Sequence, residues 1–135
     1  MEKEVINATC QINDAYKNVV IELEEDAVCK ISYDDGKNRI SVEADHFWGA
    51  LINLRQILEL KNIRLLCKGC SKNVYPSPMI LDMGDARVAY RMILGQQVHK
   101  EDLVYIFDSC TPQEYATIEE QEEFYHRWCN SFSFN

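Results

Sequence analysis

The sequence predicts an α+β fold in one domain, residues 1–135. It should hold an antiparallel sheet of about five strands, a helix on one face and helices at the C-terminal end. Three observations carry this. Apolar residues alternate at period two in three successive stretches between residues 19 and 44, separated by short turns. Phe47, Leu51, Leu54 and Leu58 then recur at spacings of four, three and four, one stripe of a helix. Two hydroxyl-to-glutamate boxes in the tail mark helix starts. With 135 residues, 47% hydrophobic and 27% charged, the chain can bury a core without disulfide staples.

The first predicted strand is Val19–Glu24, with Val19, Ile21 and Leu23 on one face. The second is Ala27–Tyr33. Asp34-Asp35-Gly36-Lys37-Asn38 reads as a tight turn, because Asp-Gly tolerates positive φ. Arg39–Ala44 alternates again, which makes an antiparallel meander. Asp45 is the expected N-cap of a helix running through about Leu60, with Trp48, Ile52 and Ile57 widening its stripe. Asn62 ends it, and Ile63–Cys67 reads as a strand. Residues 68–85 read as a long loop, too apolar for disorder and expected to pack on the sheet.

Ala86–Leu94 reads as a strand with Val88, Tyr90, Met92 and Leu94 on one side and Arg87 and Arg91 on the other. Lys100–Asp108 is expected as a short helix. In the tail, Thr111-Pro112-Gln113-Glu114 and Thr117-Ile118-Glu119-Glu120 are capping boxes. The second opens a helix whose expected inner face is Ile118, Phe124, Trp128 and Phe132.

The net charge is −8, and it is unevenly spread: −6 over residues 1–45, +5 over 46–100 and −7 over 101–135. An acidic chain is a poor partner for nucleic acid or an anionic membrane and suits a cationic partner. Glutamates at a helix start also have a local cause in the helix dipole. No run approaches the ~18 apolar residues of a membrane span. The opening Met1-Glu2-Lys3-Glu4-Val5-Ile6-Asn7 is unlike a signal peptide. The expected location is the cytoplasm, where the six cysteines would be thiols.

Cys67-Lys68-Gly69-Cys70 is the one short motif with a chemical reputation. A zinc site needs about four ligands, and His126 and Cys129, at i, i+3 spacing, could complete one with Cys67 and Cys70. A redox dithiol normally opens a helix, whereas a Pro-containing loop follows here. His46, His99 and His126 belong to no nucleophile motif, and Asp82 with Asp85 is a common loop pairing. Met79, Met83 and Met92 read as core, and Tyr75 either as an anchor for the loop or as an interface residue. The chain is therefore expected to be no enzyme, with no catalytic residues, metal or cofactor. The alternative is a small enzyme or metal-binding protein using Cys67 and Cys70.

One stretch carries a resemblance. Cys67-Lys68-Gly69, Val74-Tyr75-Pro76-Ser77 with Met79, Met83-Gly84, Ala89-Tyr90, Leu94-Gly95, and Asp102-Leu103-Val104 with Ile106-Phe107-Asp108 span about a third of the chain. Together they resemble a family of small bacterial cytoplasmic proteins, the immunity proteins of contact-dependent and other polymorphic toxin systems. This sequence has Pro78 and Asp85 where that pattern has glycines, a difference that bears on the loop's conformation. The resemblance implies a protein that binds a cognate toxin, through the toxin's C-terminal domain, and neutralises it. A basic nuclease effector would suit the acidic charge. The expected contacts are Glu22, Glu24, Asp34 and Asp35 of the hairpin, Tyr75, Asp82 and Asp85 of the loop, and Glu119 and Glu123 of the tail.

Overall fold

A computed structural model describes residues 2–132. Its first strand, β1 (Glu2–Ile12), pairs along its full length with β2 (Ala15–Glu25) through a two-residue turn at Asn13-Asp14. Asn13 takes φ 56 there, a left-handed conformation that asparagine tolerates. β3 (Cys29–Asp34) and β4 (Arg39–Ala44) continue the meander, and β5 (Ile63–Leu65) joins the free side of β1. The five-stranded antiparallel sheet has the order β4-β3-β2-β1-β5.

The meander and its register follow the expected alternation. Val19, Ile21 and Leu23 of β2 and Cys29, Ile31 and Tyr33 of β3 all face the core. Gly36 closes the β3–β4 turn at φ +88. β1 was not expected: its inward Ile6, Ala8, Cys10 and Ile12 are interleaved with Val5, Asn7, Thr9 and Gln11, a weak apolar signal that only the pairing with β2 completes.

Helix α1 (Phe47–Leu60) covers the inner face of the sheet with Phe47, Trp48, Leu51, Leu54 and Leu58. Its N-cap is His46 rather than Asp45. The His46 Nδ1 accepts the Gly49 N–H at 2.9 Å, and the Phe47 N–H is taken by the Asp85 carbonyl at 2.6 Å. The helix therefore starts one residue later than expected, docked on a connection within the second sheet.

That second sheet is three-stranded, in the order β6 (Val74–Tyr75), β7 (Val88–Arg91), β8 (Leu103–Tyr105). The stretch 68–85 is not all loop. It contains a 3-10 turn at Lys68–Cys70, β6, and a short helix α2 (Pro78–Met83). β7 is shorter than expected and faces the other way at its start: Ala89 is buried and Val88 exposed, although Met92 is buried as expected. The expected helix at 100–108 is a 3-10 turn, Lys100–Asp102, followed by β8, because pairing of Ala89 with Val104 uses the β-favouring Val104-Tyr105 run.

One C-terminal helix forms, α3 (Ile118–Cys129). Thr117 and Glu120 make the expected reciprocal cap. Thr111 and Glu114 make the same pair of bonds around a turn that no helix continues. The expected inner-face residues Ile118, Phe124, Trp128 and Phe132 are all half-buried, as is Tyr125, but the one fully buried residue of the helix is Gln121, which was not expected there. Both sheets and α1 share one hydrophobic core.

Candidate functional site

The candidate site is an apolar surface built by the segment from Tyr75 to Tyr90. Ser77 starts α2, its Oγ accepting the Ile80 N–H at 3.2 Å, and Pro78 follows at the position where a missing N–H costs nothing. Six residues cannot bury both sides of a helix. Ile80 and Leu81 turn inward to the core, so Met79 and Met83 are left 68% and 79% exposed. These two methionines are not core residues, contrary to the expectation. The signal that could have found them was Ser77-Pro78, an N-cap followed by Pro, which marks a helix inside the apparent loop.

Two depressions meet on this surface. A shallow one of about 310 Å³ lies between α2 and β7, lined by Met79, Met83, Ala86 and Val88. A narrower apolar groove of about 170 Å³ lies between the β6–α2 turn and α3, lined by Tyr75, Met92, Val98, Tyr125 and Trp128. Ser77 and Tyr90 line both. Tyr75 stacks on Tyr125 at 4.0 Å and meets Trp48 edge-on at 5.4 Å. Tyr75 thus anchors the loop and also walls the groove. Burial, helped by the nearby Glu122, pushes its hydroxyl up from the ordinary tyrosine value. Gly69 is packed against the core: a Cβ there would lie 2.5 Å from Leu51 Cδ2 and 3.1 Å from Ile106 Cβ.

The expected acidic contacts do not form one patch. Glu22 and Glu24 both pair with Lys3, at 3.7 and 3.2 Å. Asp34 pairs with Arg39 at 3.2 Å and accepts the Gly36 N–H. Asp35 is only 2% exposed, which withdraws it from any accessible contact set. Its carboxylate accepts the Lys37 and Asn38 N–H groups, the Asn38 side-chain amide and the Tyr33 hydroxyl. Burial alone would raise it, but these bonds win and hold it down at about 2. Asp85 pairs with Arg87 at 3.2 Å, and Arg87 lies over the Phe47 ring at 4.6 Å with Glu4 and Glu25 also in range. Asp82, on α2, and Glu119 and Glu123, on α3, are exposed and carry no ion pair among the described residues.

The cysteines of the motif lie inside. Cys67 and Cys70 are fully buried with their sulfurs 3.6 Å apart. The bond shared with Cys70, together with burial, pushes Cys67 well up. Burial pushes Cys70 up too, but the Cys67 thiol and the Arg55 guanidinium outweigh it and bring Cys70 below the ordinary thiol value. His126 and Cys129 sit on α3, with Cys129 exposed. Among the described residues no three His, Cys, Asp or Glu side chains converge to hold a metal ion.

A separate polar cleft of about 320 Å³ opens where the β1–β2 turn meets the ends of α1 and β5, lined by Gln11, Asp14, Glu59, Asn62, Arg64 and Tyr115. No helix among the described residues is long and apolar enough to cross a membrane. No protein-family model matches the chain, and no curated protein is significantly similar to it.

Proposed function

We propose that this protein is an immunity protein, which binds a cognate bacterial toxin and neutralises it by covering its active site or substrate cleft. The observation that carries the reading is the apolar surface of α2 and β7. Met79 and Met83, which belong to the resemblance, are exposed beside Val88, and aromatic side chains line the groove next to them. An exposed apolar patch bordered by polar residues is the usual form of a protein-binding surface, and buried Tyr and Trp anchors supply much of the energy at such surfaces. Asp82, Glu119 and Glu123 leave unneutralised negative charge on the two helices that border it. That charge favours encounter with a basic toxin, and the apolar contact then sets residence time.

Inhibition by coverage needs no chemistry from the inhibitor. The test is co-expression with the product of the adjacent gene. A tight complex that protects cells from that product, and loses protection when Met79 and Met83 are both changed to Asp, supports the reading. A harmless neighbour that does not bind sinks it.

A further inference from the structure

The feature that the toxin-binding reading leaves unused is the buried dithiol. Cys67 and Cys70 flank a 3-10 turn, with the Cys70 N–H bonded to the Cys67 carbonyl at 2.8 Å. Cys67 occupies the N-cap of that turn in an extended conformation, φ −131 and ψ 161. The turn is fixed against residues 106–108. Lys68 N–H donates to the Asp108 carbonyl at 2.6 Å and Gly69 N–H to the Ile106 carbonyl at 2.8 Å. The backbone of both cysteines is therefore fixed by hydrogen bonds, and their sulfurs lie 3.6 Å apart. A disulfide needs ~2.05 Å between sulfurs, so closure asks for a movement of about 1.5 Å, within reach of small χ1 and χ2 rotations.

The electrostatic setting is unusual for a core. The Arg55 guanidinium is 1% exposed and its nearest carboxylate, Glu59, is 3.8 Å away. It gives Nη1 to Gln121 Oε1 and the Gly69 carbonyl and Nη2 to the Ala116 carbonyl, while Nε has no partner. A buried cation with so little counter-charge favours a neighbouring thiolate over a thiol.

We propose that Cys67 and Cys70 are a modification site, closing reversibly to an intramolecular disulfide on reaction with a peroxide. The Cys70 thiolate attacks one peroxide oxygen, the O–O bond breaks, and hydroxide leaves, giving a sulfenic acid at Cys70. The Cys67 sulfur then attacks the Cys70 sulfur, the S–O bond breaks, and the sulfenic oxygen leaves as water with the proton lost from Cys67. In sum two thiols and one hydrogen peroxide give one disulfide and two waters. The protein loses two electrons and the peroxide gains them. Hydrogen peroxide is small enough to reach the site through local opening of the turn, where a bulky disulfide oxidant is hindered. The product ties together the turn whose Gly69 carbonyl also holds Arg55 and Gln121, so oxidation locks the α1–α3 contact.

The test uses the full chain as Cys129→Ser, which removes the exposed thiol and leaves five of the six cysteines. The folded protein is treated with hydrogen peroxide, quenched and unfolded, and its thiols are counted. The expected result is a loss of two thiols, a mass lower by two hydrogens, a Cys67–Cys70 linked peptide, and full recovery with dithiothreitol. The same loss should persist with Cys110→Ser added and vanish with Cys70→Ser added, in proteins whose circular dichroism confirms folding. Retention of all five thiols, or a linkage of either residue to Cys110 instead, overturns the proposal. Both outcomes are read without any toxin, so they do not bear on the binding reading.

Discussion

Arg55 Nη1 donates to Gln121 Oε1 at 2.6 Å, and both side chains are only 1% exposed. This one bond joins α1 to α3 through the core. Gln121 completes the arrangement by placing Nε2 within 2.9 Å of the Gly69, Ser71 and Val74 carbonyls. The C-terminal helix is thus held by polar groups on its inner side, over the turn that carries the cysteines. Arg55→Met leaves Gln121 Oε1 and the Ala116 carbonyl without this donor and should cost about 2–4 kcal/mol. Gln121→Leu should cost about 2–3 kcal/mol. In urea unfolding the double variant should lose less than the sum, since each change removes the other's partner. Strict additivity would mean that the two do not act together.

The Asp35 carboxylate should make stability depend on acid. Its folded value is held at about 2, against an ordinary 3.8, so the folded state binds that proton less readily than the unfolded chain. The contribution is complete above about pH 5 and is lost as pH falls toward 2, by roughly 2 kcal/mol. Asp35→Asn should lower stability by about 1–3 kcal/mol at neutral pH and flatten that part of the profile. Denaturant midpoints at a series of pH values measure both effects.

Met79 and Met83 should be dispensable for folding. Changing both to Ser removes exposed methionines and should shift unfolding free energy by no more than about 0.5 kcal/mol. If their surface receives the partner, the same change should weaken the complex at least about tenfold. Unchanged affinity at unchanged stability would move the binding surface elsewhere.

Charge reversal should separate the acidic clusters. Asp82→Lys combined with Glu119→Lys and Glu123→Lys should slow association with a basic partner several-fold at low salt, with the difference fading near ~0.5 M salt. Asp34→Lys should do less, because Arg39 already neutralises that carboxylate. Stopped-flow association rates at two salt concentrations distinguish the cases.

The meander and the long helix were legible because their apolar residues repeat at a single period and bury one face. Arg39–Ala44 is the same six residues in sequence and structure, and α1 ends at Leu60 as expected. Elements set by distant partners were not. The outward positions of β1 are mostly polar, with Val5 among them, so its alternation is weak, and it is a strand because β2 and β5 flank it. Val104-Tyr105 reads equally well as helix until Ala89 pairs with Val104. The candidate site was legible in part. Tyr75 lies in it and Asp82 is exposed on its bordering helix, but Asp35 spends its carboxylate on its own turn, a demand visible only once the Lys37 and Asn38 amides are in place. Gln121 carried no signal because a buried glutamine is recognised by the carbonyls it meets.

The position of β1 bears on how the chain assembles. Among β1 to β4 every pairing joins neighbours in sequence, so residues 2–44 can zip up through short loop closures. β5 meets β1 by matching Cys10 to Leu65, which spans more than fifty residues of chain. The meander should therefore form ahead of that pairing, with the edge of β1 open in the meantime. An unsatisfied strand edge is where chains stick to one another, so the interval before β5 docks is when this protein is most prone to aggregate. Weakening Ile63 or Leu65 should lengthen that interval and reduce refolding yield more than it reduces the stability of molecules that have folded.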